Sequence, residues 1–254
     1  ATIELKYEIA GSELKIWWND NEYTSYKKSN YNNSLDQYLS DIDPNIDLPE
    51  IENYKILQRL DLCIDLAMID NKIFVNKKRT TFEELEQALL NEKSKINHLN
   101  QHLITIRVFA DKDLSMKYMN NLNQTLRQIG MLKIAHMGKV NDPKVSDLQR
   151  EYLGLPKLLP PLVGIEVLDK KEITKKGITL FEIDATNTEI TPGNVKPKFK
   201  ETVKNSEKYI TDLYYDESTI LNTYIGYQDM VRSVIYEFRN SYALEKYNIE
   251  YDNM

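Results

Sequence analysis

Apolar residues Ile3, Leu5, Tyr7 and Ile9 alternate with polar ones at the start of the chain, the period of a half-buried strand. A turn at Gly11-Ser12 and a second apolar run from Leu14 to Trp18 predict a hairpin, and residues 19–47, rich in Asn, Asp, Ser and Tyr, read as a polar excursion. After Leu48-Pro49 the pattern sharpens. Leu60 to Ile69 predicts a strand with Leu62, Ile64, Leu66 and Met68 on one face, and Asp70-Asn71-Lys72 turns into Ile73-Phe74-Val75. Thr81 followed by Glu84 marks a helix start, where hydroxyl and carboxylate cap one another's free N–H groups, and Phe82, Leu85 and Leu89 then share a face. Leu103 to Phe109 predicts a strand with Ile104, Ile106 and Val108 inward and Thr105 and Arg107 outward. Asp113 or Ser115 caps a second helix with Met119, Leu122, Leu126 and Ile129 on its apolar side. Gly130 ends that helix, because glycine enters the left-handed conformation without steric penalty. Leu132 to Met137 closes a ββαβαβ unit.

Residues 138–161 carry Gly138, Pro143, Gly154, Pro156, Pro160 and Pro161 and read as a connector. A second unit, residues 162–254, begins with strand patterns at Leu162 to Leu168 and Ile178 to Asp184 and a turn at Pro192-Gly193. Pro197 opens a helix with Phe199 and Val203 on one face. The longest helix runs from about Thr219 to Tyr247, where Tyr227, Val231, Val234, Ile235, Phe238 and Tyr242 step by threes and fours. The expectation is an α+β protein of two small mixed-sheet modules with helices packed on one face, preceded by the N-terminal hairpin and excursion of residues 1–47.

Composition narrows the function classes. Of the 254 residues 41% are hydrophobic and 28% charged, enough apolar surface for a core. The net charge of −6, mixed along the chain without a basic block, argues against a nucleic-acid partner. The single cysteine, Cys63, lies in an apolar stretch and reads as a buried thiol. No run of about 18 apolar residues occurs, so no transmembrane helix is expected. The chain begins with Ala and enters a strand pattern at once, which is compatible with an anchor or signal peptide removed upstream.

The stretch ITIRVFADKDLSMKYMNNLNQTLRQIGMLKIAHM, Ile104 to Met137, resembles the closing part of the soluble domain of ExbD/TolR biopolymer-transport proteins. There a strand ends in an Ala-Asp pair, here Ala110-Asp111, a helix follows, and a glycine, here Gly130, leads to the last strand. Upstream, IDNKIFVNKKRTTFEELEQAL is similar to the family's strand, turn, short strand and Thr-capped helix, and Leu48-Pro49-Glu50 resembles its Leu-Pro after the membrane helix. The resemblance covers residues 48–137. Tyr224 to Met254 is similar to the long C-terminal helix and tail of ExbD-like proteins of the Bacteroidetes type, which points to a second copy of the fold. The family also carries an N-terminal transmembrane helix whose aspartate responds to the proton-motive force. No such segment lies in this sequence, so no residue here is assigned proton coupling. The resemblance implies a periplasmic, homodimeric, non-enzymatic component of a TonB/Tol-like energy-transduction or envelope-transport system. Its partners would be TonB-like or TolA/Pal-like proteins or peptidoglycan, and it would meet the membrane only through an anchor outside this chain. Edge strands of such a module are candidates for dimerisation or for adding a partner's strand. The alternatives are a secreted or periplasmic ligand-binding protein and an enzyme of another class.

Candidate chemistry is sparse. No G-x-S-x-G, P-loop or G-x-G-x-x-G occurs, so neither a catalytic residue nor a cofactor is assigned. His98 and His102 have the spacing of paired metal ligands, but the zincin glutamate is missing between them, and a solvated loop is expected rather than a metal site. His136 alternates outward in its strand. Asp111, Lys112 and Asp113 sit between a strand end and a helix start, where carboxylates gain roughly 0.3–1 kcal/mol from the helix dipole. Capping is their ordinary use, and a polar ligand or peptidoglycan contact their functional one. Trp17 and Trp18, adjacent in a strand, face opposite ways, so one of them needs a second layer, a partner or water. A domain interface is the expected use, and stacking on a glycan or partner is the sharper alternative.

Overall fold

A computed structural model describes residues 6–10, 13–17, 23–27, 39–42, 45–57, 59–143, 145, 150, 152–162 and 169–251. The chain is an α+β protein with a mixed sheet at its centre. At the N-terminus, β1 (Lys6–Ala10), β2 (Glu13–Trp17) and β3 (Tyr23–Lys27) form an antiparallel sheet. The expected hairpin is therefore extended by a strand from the stretch read as polar. Tyr23-Thr24-Ser25-Tyr26 carries β-prone residues without apolar alternation, so the pairing had no periodic signal.

The main sheet has seven strands in the order β4-β10-β9-β8-β5-β6-β7. They are β4 (Lys55–Ile56), β5 (Cys63–Ile69), β6 (Lys72–Val75), β7 (Lys78–Thr80), β8 (Thr105–Ala110), β9 (Lys133–Met137) and β10 (Leu153–Leu158). Strands β5, β8 and β9 run parallel, joined by crossover helices α1 (Phe82–Ser94) and α2 (Met116–Gln128), while β6, β7 and β10 add antiparallel strands. Parallel neighbours need such crossovers, and a helix on the sheet buries the apolar stripe of each. Leu85, Leu89, Met119, Leu122 and Leu126 are fully buried against Ile64, Leu66, Met68, Ile106, Val108 and Ile134.

Two local signals are met differently at the caps. Thr81 Oγ1 accepts the Glu84 N–H at 3.3 Å, which is half of the expected reciprocal cap, and the Glu84 carboxylate does not return a bond to the Thr81 N–H. Gly130 takes φ +68° just past α2. Ser115 stands at the N-cap of α2 without a side-chain bond. The free N–H groups there are met from far along the chain, Met116 donating to Thr219 O at 2.8 Å and Lys117 to Glu217 O at 3.2 Å.

The other sheet face is also covered. Ala67, Ile69, Phe109, Ala135 and Met137 pack beneath Leu39, Ile46 and Leu48, so helices occupy one face and an irregular segment the other. Gly138 makes room for that segment, since a Cβ there would lie 2.7 Å from Pro49 O.

The stretch read as a connector, 138–161, holds β10, which pairs antiparallel with β9 from Gly154↔Met137 to Leu158↔Lys133. Its Gly and Pro are tolerated because Pro156 stands near the sheet edge, with β4 covering only Leu153 and Gly154. Beyond it lie α3 (Lys170–Lys175), β11 (Thr179–Asp184), α4 (Pro192–Asn205), β12 (Tyr209–Tyr214) and α5 (Leu221–Tyr247). The strand expected at Leu162 to Leu168 lies outside the described residues from 163 onward. Pro192-Gly193 begins α4 instead of forming a turn, because Thr191 and Asn194 make a reciprocal capping box around it, and Pro197 lies inside that helix. Strands β11 and β12 make a two-stranded parallel sheet over α4 and α5, with Phe181, Ile183, Phe199, Tyr227 and Val234 as its core.

Helix α5 belongs to both cores. Leu221, Tyr224 and Ile225 enter the main core and Tyr227, Met230 and Val234 the smaller one, so the single stripe expected from Tyr227 onward is only part of the helix's buried surface. Tyr242, expected on the apolar stripe, is 56% exposed.

Candidate functional site

Strand β10, strand β12 and helix α5 enclose a groove of about 410 Å³ lined by Leu155, Pro156, Lys157, Thr211, Leu213, Gln228, Val231, Arg232, Ile235, Tyr236 and Arg239. The α5 contributors recur at intervals of three and four, one stripe of the helix beside those that enter the cores. Lys157, Arg232 and Arg239 are the charged groups in this lining, and no carboxylate is among them, in a chain whose net charge is −6. Leu155, Leu213, Val231 and Ile235 supply an apolar floor. Arg232 is held in place by its Nη1, which donates to Pro156 O at 3.0 Å.

Through Lys157 and Gln228 the groove adjoins a part-buried polar cluster. The Lys157 ammonium donates to the Tyr224 hydroxyl and lies 4.8 Å from the Tyr224 ring centre. Gln228 Nε2 donates to the same hydroxyl at 2.6 Å. Tyr215 stands edge-on to the Tyr224 ring at 4.9 Å, and its own hydroxyl donates to Asn120 Oδ1 at 3.1 Å. Burial, and then the nearby Arg127 charge, push the Lys157 ammonium down to about 8. Burial raises the Tyr224 phenol well above its ordinary value, with the neighbouring Tyr215 adding to the effect.

His136 lies behind this cluster and is 2% exposed, which corrects the outward placement expected for it. On β9 it shares a face with Ile134, which belongs to the helix-covered core, and it is paired in register with Leu155 of β10. Both faces of the sheet are covered, so neither direction of the strand's alternation leads to water. Burial, and then the Lys157 charge, push the imidazole down to about 3, so it is neutral near pH 7. Neither ring nitrogen hydrogen-bonds a described residue, and the same holds for Asn123 Oδ1 and Arg127 Nε. Buried polar atoms of this kind are rare and cluster where a water, ion or ligand completes them.

The residues singled out in the sequence go elsewhere. Asp111 accepts the Asp47 N–H at 2.9 Å and the Asp113 N–H at 2.9 Å, so it ties a turn to the segment before Leu48 instead of capping α2. Lys112 pairs with Asp47 at 2.7 Å, and Lys139 pairs with the same carboxylate. The two lysines, Lys112 first, hold the Asp47 carboxyl below its ordinary range. Lys112, Lys139 and Asp47 line a second cavity of about 460 Å³ in which both lysines are paired with Asp47, and Asp113 is exposed. Trp17 ends β2, in register with Lys6 and Tyr23, and Trp18 falls outside the described residues. His98 and His102 are exposed on a short 3-10 helix, His98–Leu103. Cys63 is half-buried, and burial raises its thiol.

None of the groove residues was singled out as a site from the sequence, where Val231 and Ile235 figure only in the apolar stripe of the long helix and Pro156 only in the connector. The one signal present was Pro156 next to Lys157 between apolar residues, a pattern that names an edge strand only once β9 is known to lie beside it.

Fold and site together define an α+β protein with a mixed sheet and a cationic, apolar-floored groove. Scans against known protein families, curated proteins and solved structures match none of them. Among the described residues no helix is long and apolar enough to cross a membrane.

Proposed function

We propose that this chain is a non-enzymatic binding subunit, a periplasmic component of a TonB/Tol-like energy-transduction or envelope-transport system that works by dimerisation and partner capture. The observation that carries the reading is the order of elements from β5 to β9. Strand, short strands, Thr-capped helix, strand ending in Ala110-Asp111, helix ended by Gly130 and closing strand build one mixed sheet with both helices on the same face. That is the arrangement the ExbD/TolR resemblance implies. The groove adds support of a different kind, since an apolar floor with a cationic rim suits a site that holds a ligand. The same groove favours the second reading, a secreted or periplasmic ligand-binding protein.

Light scattering across a range of protein concentrations, together with fractionation of cells expressing the native gene, tests the proposal. The expected result is a particle of twice the chain mass and recovery in the periplasmic or inner-membrane fraction. A strict monomer found in the cytosolic fraction overturns it, and a periplasmic monomer that binds small anions replaces it with the second reading.

A further inference from the structure

Both ends of the main sheet are guarded against strand addition. At one end β7 is three residues long and reads Lys78-Arg79-Thr80, short and charged. At the other, β4 is only two residues long and covers Leu153 and Gly154 of β10, and on the part of β10 it leaves uncovered Pro156 has no N–H to offer and its carbonyl is taken by Arg232. Short edges, cations and proline are the usual devices that keep a sheet from pairing with another chain.

Strand β12 has no such guard. In its parallel pairing with β11, Thr179 N–H donates to Lys208 O at 2.9 Å and Ala185 N–H to Tyr214 O at 2.9 Å. Parallel strands alternate the direction of their backbone groups residue by residue, so the even-numbered residues of β12 face β11 and Thr211 and Leu213 face away. Thr211 and Leu213 line the groove, and no strand is paired to β12 on that side among the described residues. From Gln228 to Arg239 the groove follows α5 for about 16 Å, which accommodates about five residues of extended chain. Along that length stand Lys157, Arg232 and Arg239 with no carboxylate opposite them.

We propose that the groove receives an extended acidic and apolar segment of a partner protein, which adds as a strand to the open edge of β12. Backbone hydrogen bonds to Thr211 and Leu213 supply the register, apolar side chains rest on Val231 and Ile235, and acidic side chains meet Arg232, Arg239 and Lys157. This inference deepens the partner-capture reading and rests on it. The Pro156 carbonyl capped by Arg232 keeps the segment on β12 and away from β10.

The test uses the full chain and a fluorescein-labelled peptide of about six residues alternating Glu and Val, read by fluorescence anisotropy. Three controls accompany it: the same peptide with alternate amides N-methylated, a Lys/Val version, and the variants Arg239→Glu and Thr211→Pro, each checked for an unchanged circular dichroism spectrum. The expected result is saturable binding of the Glu/Val peptide that weakens with salt. Binding falls about tenfold for Arg239→Glu, and is lost for Thr211→Pro, for the N-methylated peptide and for the Lys/Val peptide. Equal binding of the N-methylated peptide overturns strand addition in favour of an anion pocket, and no binding of the Glu/Val peptide by the folded chain overturns the proposal outright. If the peptide binds to a monomer, the strand site stands while the dimeric reading fails, so the two are separable.

Discussion

Burial of His136 next to Lys157 places two groups of the same potential charge in a site where neither is easily solvated. The consequence for stability has a definite sign. Below pH 6.5 the unfolded chain takes up a proton at His136, whereas the folded chain holds the imidazole neutral down to about 3. Acidification through that window therefore removes about 1.4 kcal/mol of folding free energy per pH unit from this position. His136→Leu removes the titration and two unpartnered ring nitrogens while keeping an apolar group in the core. Urea midpoints of the variant and the native chain, compared from pH 7 to pH 4, are expected to diverge in the variant's favour as the pH falls. A constant difference across that range sinks the account. Lys157 acts in the alkaline range, where the unfolded chain stays protonated up to 10.5 and the folded lysine gives up its proton near 8, so its contribution to stability rises with pH between those values.

At the scale of elements, α5 is fixed by a carboxylate and by its own first turn. Asp229, buried on the helix, accepts the Glu52 N–H at 2.8 Å and the Asn53 N–H at 3.0 Å, with Asn53 Nδ2 at 3.1 Å. Removing that carboxylate leaves two backbone donors in part-buried positions without their acceptor, toward the lower end of about 1–3 kcal/mol each. Asp229→Ala is expected to lower stability by about 2–4 kcal/mol, read from the denaturant midpoint, and to speed amide exchange at residues 52 and 53. Unchanged exchange at those two amides refutes the role. The first turn of α5 is met from the main sheet's side, Leu221 N–H donating to Leu114 O at 2.8 Å and Asn222 to Lys112 O at 2.9 Å. Since the first turn of α2 is met in return by Glu217 and Thr219, the two helix starts satisfy one another.

For the whole molecule these ties predict that residues 48–137 do not fold as a free-standing unit. Their core lacks Leu221, Tyr224 and Ile225 without α5, their sheet lacks β10, and the N-terminus of α2 loses both long-range acceptors. A chain ending at residue 161 is expected to unfold without a cooperative transition, whereas the full chain gives one in calorimetry. A cooperative transition in the short chain contradicts the shared core. Local pattern thus accounts for the order of elements over residues 48–137, and stability is expected to be a property of a longer stretch.

The sequence by itself determined the elements that depend on neighbours a few residues apart. Alternation placed Ile64, Leu66 and Met68 on one face, the three-four stepping marked α1, α2 and α5, and Gly130 ended α2, because strand period, helical period and positive φ are local properties. Tertiary structure decided what depended on distant partners. Strand β10 exists because β9 offers its edge to a Gly- and Pro-containing segment, and β12 because β11 offers its own. His136 is buried because it shares the helix-covered face with Ile134 and stands beside Leu155 of β10, a strand that the Gly- and Pro-containing segment did not announce. The groove arises only where β10, β12 and α5 converge, and no rule confined to one helical turn or one strand pair specifies that convergence.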